Sequence, residues 1–127
     1  MNDHPTTRID GYHAHVYYDA QTRPMAERLA ASVTGKFSVE IGGFFDEPVG
    51  PHPAANLAII FTPAEFATVV PWLMLNRHGL NVLIHPLTDD PMRDHDSDGA
   101  WLGKPVPLKL HRMSPDYTPD LLTSVEG

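Results

Sequence analysis

The stretch Tyr12-His13-Ala14-His15-Val16-Tyr17-Tyr18 decides the fold. It alternates small or apolar residues with polar ones, which is the pattern of a half-buried strand. Side chains at i and i+2 of a strand share a face. Ala14, Val16 and Tyr18 therefore form one surface, and His13, His15 and Tyr17 form the other. The first surface has to be covered by apolar side chains from elsewhere in the chain. The second carries two imidazoles side by side, the raw material of a transition-metal site. Three further histidines lie in contexts that can bring them there: His52 in Gly50-Pro51-His52-Pro53, His85 in Leu83-Ile84-His85-Pro86, and His95 directly after Asp94.

Working outward from that strand, Pro24 opens a helix whose apolar stripe is Met25, Leu29, Ala30 and Val33, with Gly35 as its C-cap. A second strand spans 37–45, with Phe37, Val39 and Ile41 on one face and Ser38 and Glu40 on the other. The Pro/Gly-rich loop Asp46 to Ala54 carries His52, and a third strand spans 56–61. Thr62-Pro63-Ala64-Glu65 reads as a capping box opening a second helix, with Phe66, Val69, Val70 and Leu73 inward and Gly79 at its end. Pro71 inside that helix predicts a bend or break near 67–71. A fourth strand spans 80–85 and is stopped by Pro86. Residues 87–107 are rich in Asp, Pro and Gly and read as a long loop, pinned by Trp101 and Leu102 and placed to form a site wall. Residues 108–111 suggest a short extra strand, and residues 1–10 and 115–127 read as flexible or peripheral.

The order β-α-β-β-α-β predicts an α+β, ferredoxin-like fold: an antiparallel sheet in the order 4-1-3-2 with two helices on one face, plus a long C-terminal loop segment. In this reading the first strand runs parallel to the third and antiparallel to the fourth. The start of the first strand, the start of the third and the end of the fourth then share one end of the sheet, bringing His13, His15, His52 and His85 together. His95 folds back to the same place. With Val82 and Ile84 turned to the helices, Leu83 and His85 join His13 and His15 on the open face. Glu40 shares that face farther along. A partner subunit or the C-terminal segment is expected to cover it.

A length of 127 residues with 42% hydrophobic content predicts one domain, 1–127, with a real core. The net charge of −7 and nine Lys and Arg in no run point away from nucleic acid and from anionic membranes. No stretch approaches the roughly 20 apolar residues of a membrane span, and the polar start, Met1 to Arg8, lacks a signal core. A soluble, cytoplasmic protein is the expectation. The chain has no cysteine, so a metal would be held by His, Asp or Glu. His4, His78 and His111 lie in bland surroundings and read as structural. No His-Glu-x-x-His signature of a metallohydrolase is present.

The ordered motifs His13-Ala14-His15-Val16-Tyr17-Tyr18, Gly50-Pro51-His52-Pro53, Trp72-Leu73, Asn76-Arg77-His78-Gly79-Leu80, Val82-Leu83-Ile84-His85-Pro86, Asp94-His95 and Ala100-Trp101-Leu102-Gly103 span residues 11–103. In this order the chain resembles the DOPA 4,5-dioxygenase family of small extradiol-type ring-cleaving proteins. The resemblance implies a ferredoxin-like fold, a homodimer, a mononuclear non-haem iron site and oxygen-dependent cleavage of a catechol ring next to its hydroxyls. It implies functional positions at His13, His15, His52, His85 and His95. On that basis Fe(II) is expected on His15, His52 and His85, with Zn(II) or another divalent metal able to replace it on isolation. His13 and His95 are the expected catalytic acid and base. Glu40 is the candidate carboxylate ligand, and Asp94 the candidate to orient a histidine. The expected partners are a catecholic small molecule and dioxygen. The alternative is a metal- or small-molecule-binding module of the same fold without redox turnover.

Overall fold

The computed structural model describes residues 8–113. The readings made of residues 1–7, His4 among them, and of the tail 115–127 lie outside the described residues. Five strands, β1 (Gly11–Tyr17), β2 (Glu40–Phe45), β3 (Asn56–Phe61), β4 (Val82–Leu87) and β5 (Ala100–Leu102), alternate with helices α1 (Arg23–Lys36), α2 (Phe66–Asn76) and the short α3 (Pro91–His95). The strands form one antiparallel sheet in the order β2-β3-β1-β4-β5. This is the ferredoxin-like order with one strand added at the edge. On one face Ala14, Val16, Leu57, Ile59, Val82 and Ile84 meet the buried stripes of α1 (Ala26, Leu29, Ala30, Val33) and α2 (Val69, Val70, Leu73). The alternation of β1 thus divides the molecule as its sequence indicates.

One feature of the expected topology is corrected. β1 runs antiparallel to β3, with Tyr12 opposite Phe61 and Tyr17 opposite Asn56. The crossover through α1 returns the chain in the direction of β1, and the connection after β2 then reverses it. β3 therefore opposes both β1 and β2. The start of β3 lies beside the end of β1, whereas the end of β4 lies beside its start, with Gly11 opposite Leu87. The histidines meet over the middle of the sheet, not at one end.

Several local readings also change. α1 continues through Gly35 to Lys36 and is capped by the Phe37 N–H on the Val33 carbonyl. Met25 points outward at 39% exposure, so the buried stripe begins at Ala26. Thr62 makes no capping hydrogen bond. Instead Glu65 accepts from the Ser38 N–H at 3.0 Å, and a single 3₁₀ turn, Pro63–Glu65, precedes α2. α2 then runs unbroken through Pro71. The carbonyl left without its i+4 partner belongs to Ala67, and both residues face solvent, where water takes the place of the lost donor.

Pro86 does not stop β4, which extends to Leu87. Leu87 directs its carbonyl at Asp10 on the β1 side, so the nitrogen of Pro86 faces the opposite edge. There β5 has already ended, its last pair being Ile84 with Ala100. A proline is tolerated where no ladder bond is required of it. The extra strand is β5, within the expected loop, while Leu110–Arg112 form a 3₁₀ turn and not a strand.

Replacing Pro71 by Ala on this exposed helix face restores a helical N–H donor. The local gain of about 3 kcal/mol is offset by about 1 kcal/mol of unfolded-state entropy. The Pro71→Ala variant is therefore expected to be more stable by about 2 kcal/mol. The check is a raised urea midpoint at unchanged slope; a midpoint that stays or falls would show that the helix is adapted to the proline.

Candidate metal centre

The register of β1 on β4 sets His13 directly opposite His85 and His15 opposite Leu83, all on the face away from the helices. His52 arrives on a tight hairpin turn. Val49 and His52 exchange backbone hydrogen bonds of 2.9 and 3.2 Å, with Gly50 at φ +54° in the first central position. Glycine adopts that conformation without steric cost. The Lys109 N–H donates to the Pro51 carbonyl at 2.7 Å, so the segment after β5 fastens this turn from outside. His95 closes α3, whose N-terminal Asp90 accepts from the Arg93 N–H. The buried Asp94 carboxylate accepts from the Thr88 N–H at 2.9 Å and the Thr88 hydroxyl at 2.5 Å, which folds α3 back onto the end of β4.

All five histidines are buried, none more than 6% exposed. Ring centroids lie 4.0 Å apart for His15 and His52, 4.0 Å for His85 and His95, and 5.1 Å for His15 and His85. Two trios place their donor atoms within 4.8 Å of one another: His13, His15 and His85, and His15, His52 and His95. The trio expected from the sequence, His15, His52 and His85, is divided between them, with His15 common to both.

Hydrogen bonds fix which nitrogen of each ring faces inward. Nδ1 of His85 donates to the Pro86 carbonyl at 2.9 Å, and Nδ1 of His95 to the Pro91 carbonyl at 2.8 Å. A backbone carbonyl only accepts, so both rings carry their proton on Nδ1. Nδ1 of His15 donates to Oδ1 of Asn56 at 3.0 Å, and the Asn56 amide nitrogen is turned to the Ala54 carbonyl. The fully buried Asn56 thus orients His15 in the same sense. Nδ1 of His52 pairs with the Tyr17 hydroxyl at 2.6 Å, and the Tyr17 ring stacks on Trp101 at 5.8 Å. Because His15 has only Nε2 left, the two trios describe donors around one ion and not two.

Nε2 of His15 stands 3.1 Å from Nε2 of His85. With both Nδ1 atoms protonated, two lone pairs face each other. Burial drives the pKa of each ring well below the ordinary histidine value, and the neighbouring imidazoles reinforce it, so neither ring takes up a proton to relieve the contact. A cation bound by both nitrogens removes the repulsion. Two nitrogens on one ion at about 2.1 Å and near-right-angle geometry lie about 3.0 Å apart. The residues present therefore fit a metal. Burial likewise lowers His52 to about 3 and lowers His95.

Two other sequence candidates sit elsewhere. Glu40 lies opposite Ile60, which lies opposite His13, so it occupies the expected face but two strands away, about 10 Å along the sheet. Neither trio includes it. Asp94 holds Thr88 and bonds none of the histidines directly, although its charge favours protonated His95. His78 is exposed at the end of α2 with φ 56°, and His111 is exposed in a turn. Sequence reading missed Asn56 and the role of Tyr17. The available signal for Asn56 was a polar residue in phase with Ala58 and Ile60 in an otherwise apolar strand. Beside His13, His15 and His52 opens a cavity of about 240 Å³, walled by Phe45, Val49 and Ile60.

Known proteins give this arrangement a context. Residues 12–112 match the Dopa 4,5-dioxygenase family. The chain is 34% identical over 116 residues to a DOPA 4,5-dioxygenase of Amanita muscaria, covering 84% of this chain and 51% of that protein. It is 33% identical over 111 residues to an uncharacterized 21.2 kDa protein of Botryotinia fuckeliana, covering 78% of this chain and 61% of the other. The chain thus spans between half and two thirds of these curated relatives. A crystal structure from Nostoc punctiforme, of a protein provisionally described as a dioxygenase, superposes with a TM-score of 0.82 at 44% identity, covering 86% of this chain and 95% of that one. The chain with this buried histidine centre on a ferredoxin-like sheet is thus similar to proteins described as dioxygenases. The chain belongs to the Dopa 4,5-dioxygenase family. Among the described residues, no helix is long and apolar enough to cross a membrane.

The neutral cluster has a pH signature in the metal-free protein. The folded-state pKa values lie below the unfolded value of about 6.5, so the unfolded chain binds more protons as pH falls. Stability is complete above about pH 6.5 and is lost below it. At pH 5 His52 alone contributes about 2 kcal/mol of that loss. Urea unfolding of metal-stripped protein between pH 8 and 5 is the check; stability that stays level or rises toward pH 5 would contradict a neutral cluster.

Proposed function

We propose that the chain is a non-haem iron(II) extradiol dioxygenase acting on DOPA or a related catechol. The observation that carries the metal reading is the 3.1 Å approach of the His15 and His85 Nε2 atoms with both Nδ1 protons committed elsewhere. Family membership supports the dioxygenase chemistry. In this reading His15 and His85 hold the ion. His52 completes the set, its ring 4.0 Å from His15 and its Nδ1 held by Tyr17. Bound Fe(II) would supply Lewis acidity toward a catechol and the redox chemistry for its reaction with dioxygen.

The remaining work falls to side chains. His13 lines the cavity beside the ligand histidines and takes a proton from a catechol hydroxyl. His95 is neutral at rest because burial depresses its pKa. Once protonated it is a strong acid and readily hands the proton on to developing oxygen charge. Tyr17 and Asn56 keep His52 and His15 from turning. Burial excludes water from the centre and strengthens each of these interactions.

Anaerobic reconstitution with Fe(II), followed by DOPA or simple catechols in air, tests the reading. The expected result is oxygen uptake matched to a yellow ring-opened product. His15→Ala is expected to lose the metal, while His95→Ala retains it and loses about 100-fold or more in turnover. Retention of metal by His15→Ala, or loss of it by His95→Ala with retention by His85→Ala, would replace the ligand assignment. Absence of uptake with every catechol by folded, iron-loaded protein would overturn the reading in favour of a binding module.

A further inference from the structure

We infer that the bulge in β2 is the specificity determinant of the proposed reaction: Gly42 opens a trough across the open face of the sheet in which the catechol ring lies, with Phe45 as its wall. The inference rests on the catechol reading above and places the ring within that site. The strand registers define the trough. On the open face, side chains stand in rows that cross β1, β3 and β2. One row is His13, Ile60 and Glu40, and another is Tyr17, Asn56 and Phe45. Between them runs the row of His15, Ala58 and the pair Gly42 and Gly43. It begins at an imidazole, continues over a single methyl group and ends on bare backbone. Neighbouring rows on one face are about 7 Å apart, so a middle row without bulk leaves a slot that admits a planar ring. The cavity of about 240 Å³ beside His13, His15 and His52 is this slot. Its floor is closed, with Ala58 5% and Ile60 4% exposed.

The two glycines are there for different reasons. The pairing of β2 with β3 shifts between Ile41 and Gly43, so Gly42 is the extra residue. The shift keeps Ile41 and Phe44 both against the core, where an unbroken strand would turn one of them outward. Gly43 has φ +154°, and a Cβ on it would meet the Phe45 ring at 3.0 Å. The Phe45 ring is therefore folded back over the Gly43 backbone, at the side of the trough. Gly42 has no positive φ, so its backbone conformation does not call for glycine. What glycine supplies there is space. A Cβ at position 42 would stand 3.1 Å from Cδ1 of Ile60 and 3.3 Å from Cβ of Ala58, two residues of the cavity lining. Glycine inside a strand marks a place where a ligand or another backbone comes close. Here the close neighbour is a ring anchored at the histidines through its hydroxyls, lying on Gly42 and Ala58 and meeting the aromatic ring of Phe45. The far rim is formed by Val49, 42% exposed, and by the exposed Gly50, so a substituent on the ring continues into solvent. The trough reads the ring and tolerates different substituents, the charged side chain of DOPA included.

The test is anaerobic calorimetric titration of the Fe(II)-loaded protein with catechol and with DOPA, and with nitric oxide as a diatomic probe that binds iron without entering the trough. Gly42→Val introduces a strand-favouring residue that fills the space. It is expected to weaken catechol and DOPA alike, by at least about tenfold, with iron content and nitric oxide affinity unchanged. Phe45→Ala, at a position 37% exposed, removes the wall without disturbing the core. It is expected to weaken both ligands about fivefold, again with nitric oxide affinity unchanged. Catechol affinity unmoved in both variants overturns the inference. So does a loss in Gly42→Val confined to DOPA, which would put the substituent and not the ring over Gly42. If Gly42→Val fails to fold or to take up iron, Phe45→Ala decides: weakened catechol with intact nitric oxide binding supports the inference, and unchanged catechol affinity overturns it. Weakened binding in the variants, without oxygen uptake by the unaltered protein on admission of air, leaves the inference standing and overturns the dioxygenase reading. Oxygen uptake by the unaltered protein, with catechol bound as tightly by both variants, does the reverse.

Discussion

Everything in this structure depends on the register of β1 between β3 and β4. β1 is the central strand, paired on both edges, and its period of two sends Ala14 and Val16 into the helix-covered core and His13 and His15 to the other face. A slip of one residue against either neighbour would exchange these sets. It would turn the apolar residues into the histidine cluster and set imidazoles among Leu29, Ile59 and Leu73. The core therefore holds the histidine face in place: the same hydrophobic burial that stabilises the sheet aligns His13 with His85 and sets Nε2 of His15 against Nε2 of His85.

Such a cluster works against the fold that carries it. Five buried imidazoles forfeit hydration, and their lone pairs converge. The protein limits that cost by giving each outward-facing nitrogen of His15, His52, His85 and His95 a specific partner. Three of those partners are carbonyl oxygens, which fix the tautomer as well as the angle. What remains is the facing pair of Nε2 atoms of His15 and His85, and a cation would answer it directly. Binding free energy for the ion is then also stability for the fold.

The sequence carried a large part of this arrangement. The alternation in 12–18, the apolar run 56–61 and the helical stripes fix the layers and the faces, and they single out the five buried histidines. The direction of β3 relative to β1 was not legible locally. It depends on how a crossover and a reversal combine, and no single residue states it. Pro71 and Pro86 have an ordinary local cost, but one faces water and the nitrogen of the other lies beyond the last β5 pair, so neither interrupts its element. Gly35 resembled a cap, yet the helix had another residue to spend before Phe37 turned away. β5 lay hidden in a polar stretch because three residues are too short to show a period. Asp94 and Glu40 have the right chemistry in the right region, and only the fold shows where each one points. Asn56 escaped notice because an amide at the start of a strand is ordinary until its partner is known.

The five histidines come from two kinds of backbone. His13, His15 and His85 sit on paired strands, whose positions are set by the ladder. His52 and His95 sit on a turn and at the end of a five-residue helix, each tethered by a few hydrogen bonds. Local opening takes little free energy in such tethered elements and much more in central strands. The strand-borne histidines therefore form the rigid half of the centre, while the turn that carries His52 also supplies Val49 and Pro51 to the cavity. A molecule filling the cavity presses on the element that holds one of the proposed ligands. Occupancy of the cavity and the placement of His52 in the histidine cluster are in this way physically linked through a single turn, held from outside by the Lys109 N–H on the Pro51 carbonyl.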